Sequence, residues 1–298
     1  MLSVLIPTYN YNTFDLVREL KNQIIKLNFD FEILVLDDAS TNEEIINKNQ
    51  KINTIPNCRF SINAKNLGRS LNINKLVGLS KFENLLIMDC DTFPKDILFI
   101  NRYYDLIKSS DVKVVFGGID YQEEKPKDDK MLRWIYGKKR EQISLETRLK
   151  NPYHHVLTSN LLIKKSVIES FPFPDYITTY GYEDLIFVKN LKENNIPINH
   201  IDNSSIHLNL EKSIVFIEKT KVSLNNLKFL SDKNKVNATD LKLLLLYTKL
   251  QKCKLTHFTV NVFEILKKIL LKNLTSSKPL LPLFDFYRLG YFCKINLK

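Results

Sequence analysis

The sequence contains little glycine, few cysteines and no long apolar run. Only seven of 298 residues are glycine, and the turn Pro7-Thr8-Tyr9-Asn10 contains none, which argues against a glycine-rich phosphate loop there. No apolar run reaches the ~18 residues that span a membrane, and no secretory leader opens the chain. The cysteines form no zinc or redox motif, as is typical of a reducing cytosol; they are Cys58, Cys90, Cys253 and Cys293. We therefore expect a cytoplasmic protein.

The basic charge is concentrated at one end of the chain. Residues 1–210 contain 27 Lys and Arg and 27 Asp and Glu, whereas residues 211–298 contain 17 and six. The C-terminal segment therefore carries the whole net charge of +11. This asymmetry predicts a charge-balanced domain over 1–210 and a basic C-terminal region over 211–298.

Strand-like and helix-like segments alternate over the first part of the chain. This alternation predicts an α/β fold with a mostly parallel sheet and helices on both faces. After residue 207 the pattern becomes helical. The predicted strands are residues 2–6, 31–36, 59–62, 85–88, 112–116, 157–163 and 198–201, and the predicted helices are 13–27, 43–49, 70–79 and 184–192.

Polar or acidic residues follow three of these strands, at Pro7-Thr8-Tyr9, Asp37-Asp38 and Asp89-Cys90-Asp91. Ligands of parallel sheets bind outside the carboxyl ends of the strands. The apolar strand before Asp89 places both carboxylates at an exposed strand end, since buried unpaired charge is costly. Carboxylates there suit a hard divalent cation that also binds a diphosphate.

Five segments together resemble the family 2 glycosyltransferases of bacterial surface-polysaccharide type, which are inverting enzymes with the nucleotide-sugar-binding GT-A fold. The resemblance covers about residues 1–210. It implies a Rossmann-like GT-A domain, followed here by a helical appendage. The segments are SVLIPTYN from Ser3, VLDDAS from Val35, NLGRS from Asn66, the Asp89-x-Asp91 pair and GYED from Gly181.

The resemblance implies a nucleotide-sugar site built from the first segments. Pro7, Thr8 and Tyr9 would line the nucleoside pocket, with an ordinary proline turn as the alternative. Asp38 would accept the imide N–H of uracil, with a loop or helix cap as the alternative. Asn66 and Gly68 would lie against the donor.

The cation that meets the diphosphate is left open by the sequence. The family's usual Ala-Arg-Asn triplet is absent, because Ile73 occupies the position of its arginine. Arg69 could face the diphosphate. Lys65 and Lys75 are the other candidates, although a solvated surface charge is the simpler interpretation of Lys75.

The resemblance also implies a metal site and a catalytic base. Asp91 would bind Mn²⁺ or Mg²⁺, and Asp89 would contact the ribose or metal-bound water. His207 would be a further metal ligand, with a purely structural histidine as the alternative. Asp184 would take the proton from the acceptor hydroxyl, with Glu183 orienting or assisting. Favourable charge at a helix N-terminus is the alternative for both acids, and the sequence leaves open which one is the base.

Two segments predict contacts beyond the donor. The charged stretch 121–152 contains aromatic and basic side chains suited to an acceptor sugar, or simply to packing; they are Trp134, Tyr136 and Arg140. The segment 263–272 combines an apolar stripe with lysines, a pattern that favours an anionic membrane surface over ordinary packed helices. No recognition motif favours nucleic acid.

The sequence thus predicts an inverting, metal-dependent transferase. The donor would be a nucleotide-sugar such as a UDP-sugar, and the acceptor a hydroxyl of a glycan or lipid-linked molecule at the inner face of a membrane. The alternatives are a sugar-nucleotide-forming nucleotidyltransferase, which usually has a glycine-rich loop, and a non-catalytic nucleotide-binding module.

Overall fold

A computed structural model describes residues 1–297 and contains a large mixed sheet. Its strands run in the order β3-β2-β1-β4-β8-β6-β9. They are β1 Leu2–Thr8, β2 Phe31–Asp37, β3 Cys58–Ile62, β4 Asn84–Met88, β6 Val114–Phe116, β8 Asn160–Lys164 and β9 Asn199–His200, while β5 Thr92–Pro94, β7 Ile119–Tyr121 and β10 Ser205–His207 form a second, small sheet.

Helices cover both faces of the large sheet. Successive strand residues point to opposite faces, so Leu5 lies in one apolar core, whereas Val4 and Ile6 lie in the other. The helices are α1 Phe14–Ile24, α2 Glu43–Gln50, α3 Arg69–Leu79, α4 Phe99–Ser109, α5 Met131–Tyr136, α6 Leu145–Lys150, α7 Lys165–Ser170, α8 Glu183–Glu193, α9 Ser213–Asp232, α10 Lys242–Lys252, α11 Thr256–Leu274 and α12 Leu281–Asn296.

Strands β1 to β4 are parallel, but β8 is antiparallel to both of its neighbours, β4 and β6. The start of β8 therefore lies at the same sheet edge as the carboxyl ends of β1, β2 and β4. The sequence pattern predicted this strand but not its direction, because an apolar run buried on both faces looks alike in either orientation.

The chain forms two compact units. The first comprises residues 1–122, 140–178 and 183–209, and the second comprises 123–139, 179–182 and 210–297. The second unit has its own apolar core, in which Phe216, Phe263, Phe284 and Tyr287 are buried. Within residues 1–297, no helix has both the length and the apolar character needed to cross a bilayer.

Candidate active site

The carboxyl ends of β1, β2 and β4 meet at one edge of the large sheet, as the sequence predicted. Thr8 pairs with Asp37 at the ends of β1 and β2. The Thr8 hydroxyl donates to the Tyr11 carbonyl at 3.2 Å, and Thr8 and Tyr9 lie next to the thiol of Cys90, two residues beyond β4. Burial, together with the charges of Asp91 and Asp89, raises the pKa of that thiol. Pro7 is buried, whereas the Tyr9 ring is half exposed at this edge.

Asp38 is buried and anchors the loop before α3. Its Oδ1 accepts hydrogen bonds from Asn63 Nδ2 at 3.0 Å and from the Leu67 backbone N–H at 2.8 Å, and its Oδ2 accepts from the Gly68 N–H at 2.8 Å. Asn66 is exposed, and its Oδ1 also accepts from the Gly68 N–H, at 3.1 Å. Asp38 thus fixes the loop conformation, and its contact with uracil stays a prediction.

Gly68 allows this loop to turn into α3. Its φ of +82° lies in the left-handed region that favours glycine, and a Cβ there would lie 2.9 Å from the backbone oxygen of Thr178. The close neighbour of Gly68 in this structure is the protein's own backbone, and its contact with the donor stays a prediction. Arg69, the first residue of α3, follows directly.

Arg69 connects Asp89, predicted to contact the donor, with Asp184, the predicted base. Its Nη2 lies 2.6 Å and its Nε 3.1 Å from Asp89 Oδ1, while its Nη1 lies 3.1 Å from Asp184 Oδ1. Burial opposes the charge of Arg69, but Asp89, Asp184 and Glu183 outweigh that effect and raise the pKa of the guanidinium. Side chains 115 residues apart in sequence therefore share one ionic cluster.

Thr158 also belongs to this cluster, although no sequence motif indicated it. Its hydroxyl donates to Asp184 Oδ1 and accepts from Arg69 Nη1 at 3.0 Å, and its backbone N–H donates to Asp184 Oδ2 at 3.4 Å. Thr158 is fully buried just before β8. The available signal was the polar run Thr158-Ser159-Asn160 before an apolar strand, which points to this edge only once β8 is known to be antiparallel.

Asp91 and His207 lie side by side. Their Oδ2 and Nε2 atoms are 3.5 Å apart. Strand β10 brings them together, because His207 pairs with Thr92 of β5 and the next N–H, that of Leu208, donates to the Asp91 carbonyl at 2.9 Å.

Aromatic side chains flank this pair. The Tyr121 ring stacks on the His207 ring with centroids 5.4 Å apart. Burial, reinforced by the charges of Asp91 and Cys90, raises the pKa of Tyr11 to about 12. Tyr11 is a second neighbour of the site that no sequence motif indicated.

The Asp91–His207 pair suits a divalent ion that also binds a diphosphate. Mg²⁺ is commonly held by one or two carboxylates together with substrate phosphates and water, and imidazole is a ligand for softer divalent metals. Within residues 1–297, no group of three or more His, Cys, Asp or Glu side chains is arranged as a complete metal site. The two side chains therefore fit an ion whose remaining ligands come from donor and solvent.

Two of the other residues predicted to contact ligands, Lys75 and Tyr136, contact residues of the protein itself. Lys75 Nζ donates to Asn63 Oδ1 at 2.8 Å, whereas Lys65 is exposed. Tyr136 packs against Phe216 and Phe284 in the core of the second unit.

The other two predicted acceptor residues are Trp134, which is half-buried like Tyr136, and Arg140. Lys138 lies over the Trp134 ring, 5.5 Å from its centroid, and Arg140 is exposed. Packing thus accounts for Tyr136. An acceptor contact at Trp134 or Arg140 stays a prediction.

The GYED segment divides between the units. Glu183 is buried and, with Asp184, begins α8 in the first unit. In the second unit, Gly181 has a φ of +109°, and a Cβ there would lie 2.4 Å from the Cβ of Ser223. Asn226 Nδ2 donates to the carbonyls of residues 179, 180 and 181 at 3.1–3.4 Å.

Comparison with known proteins agrees with this geometry. The family model "Glycosyl transferase family 2" matches residues 3–171. The chain therefore belongs to this family, and the structure has the GT-A fold of nucleotide-sugar glycosyltransferases. A search of the curated proteins finds no match.

Several solved structures share the fold. TarS residues 1–349 of S. aureus in complex with UDP-GlcNAc aligns with TM-score 0.51 and 20% identity over 74% of this chain and 64% of that one. Glucosyl-3-phosphoglycerate synthase of Mycobacterium tuberculosis in complex with Mn²⁺, UDP and glucosyl-3-phosphoglycerate aligns with TM-score 0.51 and 15% identity over 76% and 79%.

The mannosyltransferase PcManGT of Pyrobaculum calidifontis in complex with GDP-Man and Mn²⁺ aligns with TM-score 0.51 and 15% identity, over 74% of this chain and 61% of that one. The chain thus spans less than two thirds of the TarS and PcManGT chains. At these identities the likeness concerns the fold.

Proposed function

We propose that this glycosyltransferase moves a sugar from a UDP-sugar to an acceptor hydroxyl with inversion, assisted by Mn²⁺ or Mg²⁺. The observation that carries the proposal is the Arg69 bridge between Asp89 and Asp184. This bridge joins the end of β4 to the start of α8. Asp89, next to the proposed metal ligand Asp91, follows β4, and Asp184, the proposed base, lies at the start of α8. The UDP and UDP-GlcNAc complexes of proteins with this fold support the choice of donor.

Asp184 Oδ2 is the atom proposed to take the acceptor proton. Oδ1 is engaged by both Arg69 and Thr158, whereas within the described residues Oδ2 accepts only the long bond from the Thr158 N–H. As Oδ2 takes the hydroxyl proton, the acceptor oxygen forms a bond to the anomeric carbon. The bond from that carbon to the diphosphate breaks, and UDP leaves with the electron pair. Glu183 assists as part of the same cluster.

The other site residues would bind the donor. Pro7, Thr8, Tyr9 and Asp38 serve the nucleoside; Asn66, Gly68, Arg69 and Asp89 lie on the sugar-diphosphate side. Asp91 and His207 would hold the divalent ion. Charge neutralisation on the leaving diphosphate is the chemistry that such an ion supplies when bound.

The acceptor is proposed to be a glycan or lipid-linked molecule made at the inner face of a membrane. The basic region 211–298, with its net charge of +11, supports contact with an anionic membrane surface. The protein would then be cytoplasmic and peripheral to the membrane.

Release of nucleoside diphosphate from a panel of UDP- and GDP-sugars with Mn²⁺ tests the proposed reaction. We expect release from a UDP-sugar, a loss of about 10²-fold or more in Asp184→Asn, and unchanged release in Asp111→Asn, whose side chain is 91% exposed. Pyrophosphate release from UTP and a sugar 1-phosphate would instead identify a nucleotidyltransferase. Nucleotide binding without turnover on any acceptor would identify a binding module.

A further inference from the structure

Helix α11 carries a row of large apolar side chains on its outer surface. Phe258, Ile265 and Ile269 are 66%, 77% and 65% exposed. Their spacing of seven and four residues places them on one stripe of the helix, roughly 16 Å long at ~1.5 Å per residue. Phe263 and Leu270 of the same helix are buried in the core of the second unit. The outer stripe is therefore additional to the face that folds the unit.

Positive charge surrounds this stripe. Residues 242–278 contain eight lysines and a single acidic residue, Glu264, whose carboxylate is 2.8 Å from Lys294 Nζ. Lys268 and Lys272 are exposed and follow Ile265 and Ile269 by three residues each, so they lie beside the apolar row. We call Phe258, Ile265, Lys268, Ile269 and Lys272 the α11 face.

We propose that the α11 face docks onto an anionic lipid bilayer. Its apolar side chains enter the interface between headgroups and acyl chains, and its lysines contact lipid phosphates. A second copy of this chain fits the face less well, because pairing it with itself would bring lysines against lysines. Anionic lipid supplies both the apolar phase and the opposite charge. The inference rests on the membrane contact in the proposed function and names the surface that makes it.

Vesicle co-sedimentation without nucleotide tests this docking. The full-length protein is mixed with vesicles of phosphatidylcholine alone, or of phosphatidylcholine with phosphatidylglycerol, at low and high salt. We expect binding to the anionic vesicles that weakens with salt. Two double variants should each lower the partition coefficient of the protein roughly tenfold or more. Ile265→Asp/Ile269→Asp removes the apolar contact with the interface. Lys268→Glu/Lys272→Glu removes two lysines that each contribute ~1 kcal/mol near the surface. Ile97→Asp, which changes a 72% exposed isoleucine of the first unit, should bind like the wild type.

The inference is overturned if the wild type does not bind anionic vesicles, or if both double variants bind them as well as the wild type does. Circular dichroism checks folding, and the lysine variant alters only exposed polar positions, so it stays informative if the aspartate variant misfolds. Light scattering tests a different outcome. If the wild type is a dimer that does not bind vesicles, and the Ile265→Asp/Ile269→Asp variant is a monomer, this face is a self-association surface and the inference is wrong. Because no nucleotide is present, failure of docking is separable from failure of sugar transfer.

Discussion

The guanidinium of Arg69 and the carboxylate of Asp184 form an ion pair with 3.1 Å between Nη1 and Oδ1. The same guanidinium holds Asp89 at 2.6 Å. One cation thus fixes two carboxylates that like-charge repulsion would otherwise separate. We infer that Arg69 and Thr158 are positioning residues for Asp184, in addition to any contact of Arg69 with the diphosphate.

Substitution of Thr158 tests this positioning. Thr158→Val keeps the shape but removes the hydroxyl that donates to Asp184 Oδ1. We expect kcat to fall about tenfold, which corresponds to ~1.4 kcal/mol of lost orientation, with little change in the KM for the donor. Thr158→Ser, which keeps the hydroxyl, should restore kcat. Equal kcat values for the Val variant and the wild type would contradict the inference.

Removal of His207 tests the metal assignment. His207 Nε2 lies 3.5 Å from Asp91 Oδ2. We expect His207→Ala to weaken Mn²⁺-dependent UDP binding at least about tenfold in calorimetric titrations, and EDTA to abolish it in the wild type. His154→Asn changes an exposed histidine of the same unit and should leave the Mn²⁺ dependence unchanged. Binding that is insensitive to both Mn²⁺ and His207→Ala would remove this residue from the site.

Asp38 provides a stability test of the loop before α3. In Asp38→Asn, the new amide group would face N–H donors that now point at Oδ1 or Oδ2. We expect the free energy of unfolding to fall by about 1–3 kcal/mol, the usual effect of leaving buried donors unsatisfied. Urea denaturation measures the change. Asp15→Asn, on the exposed side of α1, should alter it by less than about 0.5 kcal/mol.

Two glycines, one at each end of α3, allow a matched pair of Gly→Ala substitutions to be compared. Gly68→Ala should lower the free energy of unfolding by about 1–3 kcal/mol, because of its φ of +82° and the 2.9 Å approach to the Thr178 oxygen. Gly78 lies within the last turn of the helix, and a Cβ added there would meet no atom within 4 Å. Gly78→Ala should raise the free energy by up to about 0.5–1 kcal/mol. The same denaturation curves compare both, and the opposite order would refute this account of the turn.

His200 makes stability depend on pH. Its Nδ1 lies 3.3 Å from Arg148 Nη1, which can only donate, so Nδ1 accepts and the Nε2–H donates to the Pro152 carbonyl at 2.8 Å. Burial, together with the Arg148 charge, lowers the pKa of His200 in the folded protein.

The unfolded chain therefore binds the proton more readily than the folded one. The neutral His200 side chain therefore stabilises the folded protein. This contribution is complete above the unfolded pKa of about 6.5 and is lost as pH falls below it. We expect His200→Gln to show a smaller loss of unfolding free energy between neutral pH and pH ~5 than the wild type. The same decrease in unfolding free energy with pH in His200→Gln and the wild type would contradict this.

The sequence by itself determined the strand–helix alternation, the polar strand ends and the family, because those signals are local: periodicity, apolar runs and short motifs. It predicted that residues near 8, 37 and 89 would meet, since carboxyl ends of parallel strands share an edge. Tertiary structure alone decided the direction of β8, which brings Thr158 beside Asp184, and the orientation of Asp38 toward the loop before α3. It also decided that Tyr136 packs with Phe216 in the second unit. These outcomes depend on contacts between residues dozens of positions apart, which no local pattern encodes.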